Sequence, residues 1–317
     1  MAVSFILGRS GTGKTRYCIK SIIEALLQPD ETPLVLLVPE QASYQAERAI
    51  LSDGRINGYS RLNVLSFNRL GFLLLGRRMS MESLSRSGQQ MAVAASLLQC
   101  KDKLRLLGTS ALTAGFASEL ARTLTEIQRS CLEPDDIDNL AKKLALKAGN
   151  ELSARKFADI AEIYNRYRMF LAGRFENPDT DLTDAKKAVQ NAEFLRNARL
   201  WVDGFAGFTR QEFELLIELL KAASESRIAL CLDPEQIDIN NCSRESIDTT
   251  RLFYPTEYTY ADLLEAIRKS RLELKPSLIL REQHRFASSA LRHLEKEYPA
   301  YRPKSFTGNS EAIELIE

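Results

Sequence analysis

The pattern of apolar and polar positions divides the chain into three stretches. In the first, up to about residue 76, short apolar runs alternate with segments whose apolar residues recur at helical spacing. The predicted strands cover residues 3–7, 34–38 and 62–65, and the predicted helices cover residues 40–51 and 67–75, with a further helix after residue 13. Continuous apolar strands separated by helices are typical of a parallel sheet covered on both faces.

The middle stretch, residues 77–195, has almost no strand pattern. Its predicted helices cover residues 89–107, 111–129, 135–146 and 152–170. The sheet pattern then returns, with predicted strands at 200–202, 227–232 and 278–280 and predicted helices at 211–223, 257–272 and 286–297. We therefore expect an α/β domain formed by residues 1–76 and 196–317, with an all-helical subdomain inserted at 77–195. Residues 312–316 read as a strand with nothing after it, which suggests a fragment of a longer protein.

Composition adds little to this picture. The 317 residues suffice for one large or two ordinary domains, and the net charge of +1 gives no sign of a polyanionic partner. No apolar run approaches the roughly 18 residues of a membrane span, and the N-terminus does not resemble a signal peptide. We therefore expect a cytoplasmic protein with no membrane partner. The five cysteines contain no C-x-x-C pair, so they predict neither a disulfide framework nor a local zinc site.

A glycine-rich segment connects the first predicted strand to the first predicted helix. Four residues separate Gly8 from Gly13, and Lys14 and Thr15 follow, which is the Walker A pattern. The glycines of such a loop let backbone N–H groups turn toward an anion, and the helix N-terminus adds its positive dipole. Lys14 is predicted to reach the β- and γ-phosphates of ATP, and Thr15 to bind Mg²⁺. The predicted nucleotide-binding residues of the loop are Gly8, Ser10, Gly11, Thr12, Gly13, Lys14 and Thr15. A chance glycine-rich turn before a helix is the alternative.

A nucleotide site of this kind also needs an acidic residue after a neighbouring strand. Asp203 is the first candidate because an apolar strand ends on it, and it is predicted to hold Mg²⁺ through water. The next residue is Gly204, where a glutamate commonly orients the attacking water, so hydrolysis is expected to be slow. A turn-forming Asp-Gly pair is the structural alternative for Asp203. Asp233, at the end of the next strand, is the competing acid.

A second group of candidates follows the other predicted strands. Parallel sheets place ligands at the carboxyl ends of their strands, and aromatic residues beside arginine and amides suit single-stranded nucleic acid. The predicted DNA-binding residues are Gln41, Ser43, Phe67, Arg69, Phe72, Phe205 and Phe208. By spacing alone, Phe67 and Phe72 are more typical of core residues than of ligand contacts, and Phe205 and Phe208 carry the same ambiguity.

Four segments together resemble the AddB subunit of bacterial AddAB helicase–nucleases. They are the loop from Gly8 to Thr15, Val38-Pro39-Glu40-Gln41-Ala42-Ser43, Val64-Leu65-Ser66-Phe67-Asn68-Arg69-Leu70, and Val202-Asp203-Gly204-Phe205 with Phe208-Thr209. The stretch from Arg285-Phe286 to Leu294-Glu295 is also similar. The loop is generic, whereas the Pro-Glu-Gln segment combined with Ser-Phe-Asn-Arg-Leu is more specific.

The resemblance implies a RecA-like, superfamily 1 helicase-like P-loop domain with a helical insertion. It implies a heterodimer with an AddA-like helicase/nuclease subunit that supplies the motor, acting on single-stranded DNA and on double-stranded DNA ends in break repair by recombination. It also implies scanning for the hotspot sequence Chi, although Ser43 and Phe72 depart from the commoner Thr and Trp. The family's nuclease domain and most of its iron–sulfur cysteines lie near the C-terminus of the full protein, so none of the cysteines here is assigned to a cluster.

Two other functions stay open on the sequence. A free-standing P-loop phosphotransferase would need an arginine-rich lid and a base for its acceptor, and no compact segment reads as a lid. A non-catalytic scaffold would use ATP to stabilise its interface with a motor partner.

Overall fold

The computed structural model describes residues 1–76, 82–110, 113, 115–172, 174–176, 181–300, 302–308 and 313–314. The chain forms two compact units. The first contains Met1–Leu70, Val189–Phe208 and Leu216–Glu317, and the second contains Gly71–Ala188 and Thr209–Leu215. The domain boundaries predicted at residues 76 and 195 stay a prediction.

The N-terminal stretch alternates strands and helices as the sequence predicts. Its elements are β1 (Ala2–Gly8), α1 (Lys14–Leu26), β2 (Leu34–Leu37), α2 (Ser43–Leu51), β3 (Leu62–Leu65) and α3 (Phe67–Leu75). The helix predicted from residue 40 instead begins with a 3-10 turn, Glu40–Ala42, directly after Pro39. The Ser43 hydroxyl donates to the Glu40 carbonyl at 2.8 Å and so closes this turn where α2 begins.

The middle stretch is mainly helical. Its elements are β4 (Glu82–Ser83), α4 (Arg86–Cys100), α5 (Phe116–Arg129), α6 (Pro134–Ala145), α7 (Glu151–Leu171), β5 (Phe175–Glu176) and α8 (Asp181–Ala188). The prediction of an all-helical insertion is wrong in one detail, because β4 and β5 pair in parallel. Two residues per strand are too few to leave an alternating pattern in the sequence. The first residues of the helix predicted at 111–129 lie outside the described residues.

Helix α4 ends at Cys100, earlier than its pattern predicts, and a distant carboxylate keeps residues 105–107 out of the helix. Buried Asp159 accepts hydrogen bonds from the backbone N–H groups of Arg105, Leu106 and Leu107 at 2.7–2.9 Å. Those N–H groups therefore cannot continue the helical ladder. Around this turn, α4, α5 and α7 share one apolar core that includes Leu97, Leu124 and Ile163.

The last stretch returns to the sheet. Its elements are β6 (Arg199–Val202), α9 (Arg210–Ala222), β7 (Glu225–Cys231), α10 (Tyr254–Lys269), β8 (Glu273–Leu274), β9 (Leu278–Ile279) and α11 (Ser289–Glu297). Helix α11 begins later than predicted because the Ser288 side chain accepts from the Ala290 N–H and caps it there. Of the strand predicted at 312–316, only residues 313 and 314 are described, and neither is in a strand.

A parallel sheet organises the first unit. Among the described residues it has seven strands in the order β3-β2-β6-β7-β1-β8, and β9 also pairs with β1. Ile6 packs among residues of α1 and α2, whereas its neighbour Phe5 meets Tyr260 of α10 edge-on at 4.8 Å. Both faces of the sheet are therefore covered, which explains the continuous apolar strands. The predicted α/β architecture is confirmed. In the part of the chain that the structure describes, no helix is long and apolar enough to cross a membrane.

Candidate nucleotide-binding site

The glycine-rich loop leaves the carboxyl end of β1 and runs directly into α1. Gly11 and Gly13 have φ angles of +87° and +90°, a conformation that favours glycine. Glycine is required at position 8 for lack of space. A Cβ there would lie 2.5 Å from both the Leu280 carbonyl oxygen and the Thr12 hydroxyl. The glycines of the motif thus serve both left-handed backbone and close packing.

Lys14 folds back over the loop that precedes it. Its Nζ donates to the carbonyl oxygens of Gly8 and Arg9, both at 2.8 Å. The Thr12 hydroxyl also donates to the Arg9 carbonyl, at 2.9 Å. The ammonium group is therefore held at the mouth of the loop, where it can meet an anion.

Asp203 follows β6 and faces the start of α1. It is 6% exposed, lies within hydrogen-bonding reach of the Thr15 hydroxyl, and feels the charge of Lys14. Burial raises the pKa of Asp203, with Thr15 and Lys14 opposing the shift. Burial likewise lowers the pKa of Lys14, and Cys231 and Asp203 oppose that shift. Desolvation therefore outweighs the mutual attraction of the two groups, a pattern that clusters at functional sites.

Asp233, the competing acid, is engaged elsewhere. Its carboxylate contacts Arg9 Nη1 at 3.4 Å and accepts from the Glu235 N–H and the Gln236 side chain, both at 3.1 Å. Arg9 also donates to the Glu295 carboxylate at 2.9 Å. Asp233 thus anchors the outer side of the loop, whereas Asp203 is the acid that faces Thr15 and Lys14.

The residue after Asp203 has a backbone conformation that disfavours side chains. Gly204 has a φ of +84°, and a Cβ there would lie 3.1 Å from Pro39 Cδ. The sequence shows that glutamate is absent from this position, but only the backbone shows that it would be strained there.

An open cleft of about 490 Å³ lies beside these groups. Its walls include predicted residues of the loop, Asp203 and Phe205. They also include four residues to which the sequence pattern gives no role at this site: Arg16, Cys231, His284 and Arg285. Arg285 Nη1 donates to the Ser10 hydroxyl at 2.9 Å. Arg285 reaches the loop because β9 pairs with β1. The sequence predicts a strand at 278–280, but it does not predict which strand lies beside it.

Three of the predicted DNA-binding residues form an aromatic cluster, which consists of Phe67, Phe205 and Phe208. The ring of Phe67 lies 5.4 Å from that of Phe205 and 6.0 Å from that of Phe208, both near edge-on. Phe67 is only 4% exposed, whereas Phe205 and Phe208 are half-buried. The core interpretation therefore fits Phe67, and only the other two rings offer surface to a ligand.

The polar candidates lie at the neighbouring strand ends. Gln41 is exposed just after β2, and Ser43 is used in the turn before α2. Arg69, at the start of α3, is half-exposed and lies 3.7 Å from the Glu47 carboxylate. Phe72 belongs to the other unit and is 61% exposed, so the core interpretation does not fit it.

Fold and site together define the class: an α/β protein whose parallel sheet carries a glycine-rich loop at the end of one strand and a buried acid two strands away. The sequence matches the family model described as "ADDB, N-terminal" over residues 5–295. The chain therefore belongs to the AddB N-terminal family.

Curated relatives agree with this assignment. The B subunit of the ATP-dependent helicase/deoxyribonuclease of Pelotomaculum thermopropionicum is 39% identical over 302 residues, which cover 94% of this chain and 26% of that protein. Proteins of the same name from Desulforudis audaxviator and Natranaerobius thermophilus are 38% and 34% identical, and each alignment covers 100% of this chain and 27% of the relative. The chain thus spans about a quarter of the length of these relatives.

Proposed function

We propose that this chain is the P-loop, RecA-like region of the B subunit of an ATP-dependent helicase/deoxyribonuclease, and that it binds ATP with Mg²⁺. The observation that carries the proposal is the convergence of Lys14, Thr15 and Asp203 on one cleft beside a loop with two left-handed glycines. Lys14 would meet the terminal phosphates, and backbone N–H groups of the loop would meet the others.

Thr15 and Asp203 fit a Mg²⁺ ion that water and nucleotide phosphates also bind. One hydroxyl and one carboxylate are few ligands, but Mg²⁺ in such sites keeps several waters and binds phosphate oxygens as well. In the described ranges, no three His, Cys, Asp or Glu side chains converge to form a metal site independent of nucleotide. Thr15 would bind the ion directly and Asp203 would hold it through water, and the ion would neutralise charge on the phosphates.

Removal of the Lys14 ammonium tests the nucleotide proposal. Lys14→Ala should weaken Mg-ATP binding by about 10- to 100-fold, because a charge-assisted contact contributes roughly 1.5–3 kcal/mol. Isothermal titration calorimetry on the 317-residue chain measures this. Lys20→Ala is the matched control, since Lys20 is exposed on the same helix and pairs with Glu24. Equal affinities for wild type and Lys14→Ala would contradict the proposal.

We further propose that the bound nucleotide is hydrolysed slowly or not at all. The support is Gly204, which supplies no base next to Asp203. The same observation favours a second candidate function, a non-catalytic scaffold in which ATP stabilises the interface with an AddA-like motor subunit. In the assembled heterodimer, Lys14→Ala should then weaken the complex without changing ATP turnover. A large drop in turnover would instead assign hydrolysis to this site.

Single-stranded DNA is the second proposed ligand, bound at the carboxyl ends of β2, β3 and β6. Gln41, Arg69 and the partly exposed rings of Phe205 and Phe208 support this proposal. Chi scanning would be a property of the same surface in the heterodimer, which would act on DNA ends during recombinational repair.

Two arginines make a matched test of DNA binding. Arg69 follows β3, whereas Arg55 precedes it, and each is about half-exposed and paired with an acid. Arg69→Ala should weaken oligonucleotide binding several-fold and reduce its salt dependence, while Arg55→Ala should change neither. Fluorescence anisotropy over a salt series measures both. Identical behaviour of the two variants would remove Arg69 from the proposed interface.

A further inference from the structure

Donors hold the carbonyl groups of the first four residues of the glycine loop. Lys14 Nζ donates to Gly8 and Arg9, Gln283 Nε2 donates to the Ser10 carbonyl at 2.6 Å, and the His284 N–H donates to the Gly11 carbonyl at 2.9 Å. Two of these donors come from one short segment, residues 281–285, which follows β9 and is named the strap here. The strap therefore fixes the orientation of the Ser10 and Gly11 carbonyl groups.

Gln283 is the side chain of the strap that touches the loop most closely. A Cβ added to Gly11 would collide with Gln283 Oε1, so the carboxamide lies directly against that glycine. The same Oε1 accepts from the Arg285 N–H at 2.9 Å, and Arg285 in turn reaches the Ser10 hydroxyl. One carboxamide thus connects the Ser10 carbonyl to the backbone that presents Arg285.

We propose that Gln283 is a positioning residue for nucleotide binding, and that it does so by fixing the peptide plane between Ser10 and Gly11. In a planar trans peptide the C=O and the following N–H point in opposite directions. A Ser10 carbonyl held by Gln283 turns the Gly11 N–H away from that carboxamide, and Gly11 itself lines the cleft. That N–H is then ready for a phosphate oxygen without reorganisation.

This inference rests on the proposed nucleotide function. It predicts the opposite of what is expected if Gln283 merely blocked the phosphate site. If Gln283 only occupied space that the phosphates need, its removal would strengthen binding. A positioning role requires the reverse, because the freed peptide must be reoriented each time the ligand binds.

Gln283→Met tests the inference, since methionine has similar length and no N–H donor. Mg-ATP affinity of the 317-residue chain should fall about three- to tenfold, the worth of one neutral hydrogen bond. Glu282→Met on the same strap is the matched control, because Glu282 is exposed, and it should bind as wild type does. Unchanged or tighter binding by Gln283→Met overturns the inference while the nucleotide proposal stands. Failure of the wild-type chain itself to bind Mg-ATP overturns both.

A spectroscopic readout separates positioning from a general structural effect. Labelling serine carbonyls with ¹³C and glycine amides with ¹⁵N selects Ser-Gly pairs, of which the sequence has Ser10-Gly11 and Ser87-Gly88. In the ligand-free protein, Gln283→Met should move the Gly11 amide resonance and leave that of Gly88 in place. A Gly11 resonance that does not move shows that the carboxamide does not set this peptide, and the inference is then wrong.

Discussion

The glycine loop and the aromatic cluster lie at the carboxyl edge of the same sheet. The loop presents charged groups to a cleft, whereas the cluster buries its central aromatic ring. Around the loop, the charged groups of Lys14 and Asp203 face an open cleft although burial disfavours both charges. In the aromatic cluster, the ring with the most specific sequence context, Phe67, is buried against its two partners. Position at a sheet edge therefore indicates where a ligand can bind, whereas burial decides which side chains can touch it.

The two regions also contribute differently to the stability of the fold and to ligand binding. Groups that are desolvated without full compensation reduce the stability of the fold and gain most from a ligand. Packed aromatic rings do the reverse, since they stabilise the fold and have little left to offer a ligand. Substitutions in the two regions should therefore have opposite effects: those in the aromatic cluster should mainly lower stability, and those at the loop should mainly lower ligand affinity.

The largest expected effect is on stability, at Phe67. Phe67→Ala should lower the free energy of unfolding by about 3–5 kcal/mol, because it leaves a cavity beside Phe205 and Phe208. Phe72→Ala should cost no more than about 0.5 kcal/mol, since Phe72 is mainly exposed. Urea denaturation measures both. Similar losses for the two variants would remove the distinction between a core ring and a surface ring.

Asp203→Asn should act mainly on binding. The amide keeps the shape of the side chain but loses the charge that would hold Mg²⁺, so Mg-ATP affinity should fall roughly tenfold or more. Binding of ATP in the absence of Mg²⁺ should change much less. The measurement is calorimetric titration with and without the ion, and Asp233→Asn is the control because that carboxylate faces Arg9. A larger loss for Asp233→Asn would exchange the roles of the two acids.

Much of the α/β framework follows from local sequence, and the reason is visible in particular elements. Residues 62–65 and 67–75 are predicted with the bounds that β3 and α3 have, because an apolar run, a break and a helical repeat follow one another there. The glycine loop is predicted for the same reason, since its spacing and its flanking elements are all local.

What the sequence does not predict depends on tertiary pairing. The strap reaches the loop only because β9 lies beside β1, and β9 has two residues. The burial of Phe67 depends on the strand order β3-β2-β6, which brings the loop after β6 to α3. Residues 105–107 do not extend helix α4, which ends at Cys100, because their N–H groups donate to Asp159, far away in sequence. No periodicity within a single segment contains this information.

A smaller effect is expected where the two regions adjoin, at Gly204. Gly204→Glu should cost about 1–2 kcal/mol, since its φ of +84° strains an L-residue and Pro39 leaves little room. It should not create ATP hydrolysis, because the new carboxylate starts from a displaced backbone. Gly54→Glu is the matched control, as no atom of the described residues lies within 4 Å of a Cβ there. A gain in ATP turnover without loss of stability would show that the missing base, and not the backbone, limits this site.

The smallest expected effect is a pH dependence of stability that the cleft has and the aromatic cluster lacks. Burial raises the pKa of Asp203 in the folded chain, so folding favours its neutral form. The stability gained by burying the neutral carboxyl of Asp203 is fully present below the usual aspartate pKa. It is lost as the pH rises through the raised pKa that Asp203 has in the folded chain. Without ligand, Asp203→Asn should therefore melt at the same temperature as wild type near pH 3.5 and at a higher temperature than wild type at pH 7.

Phe67→Leu provides the comparison for this pH series, because neither side chain at that position titrates. Its Tm should lie below that of wild type by a constant amount across the same range. Thermal melts of the three ligand-free proteins in matched buffers measure both differences. If the Asp203→Asn difference is also constant with pH, Asp203 keeps its ordinary pKa in the fold, and the cleft does not hold a carboxylate that burial has made ready for a cation.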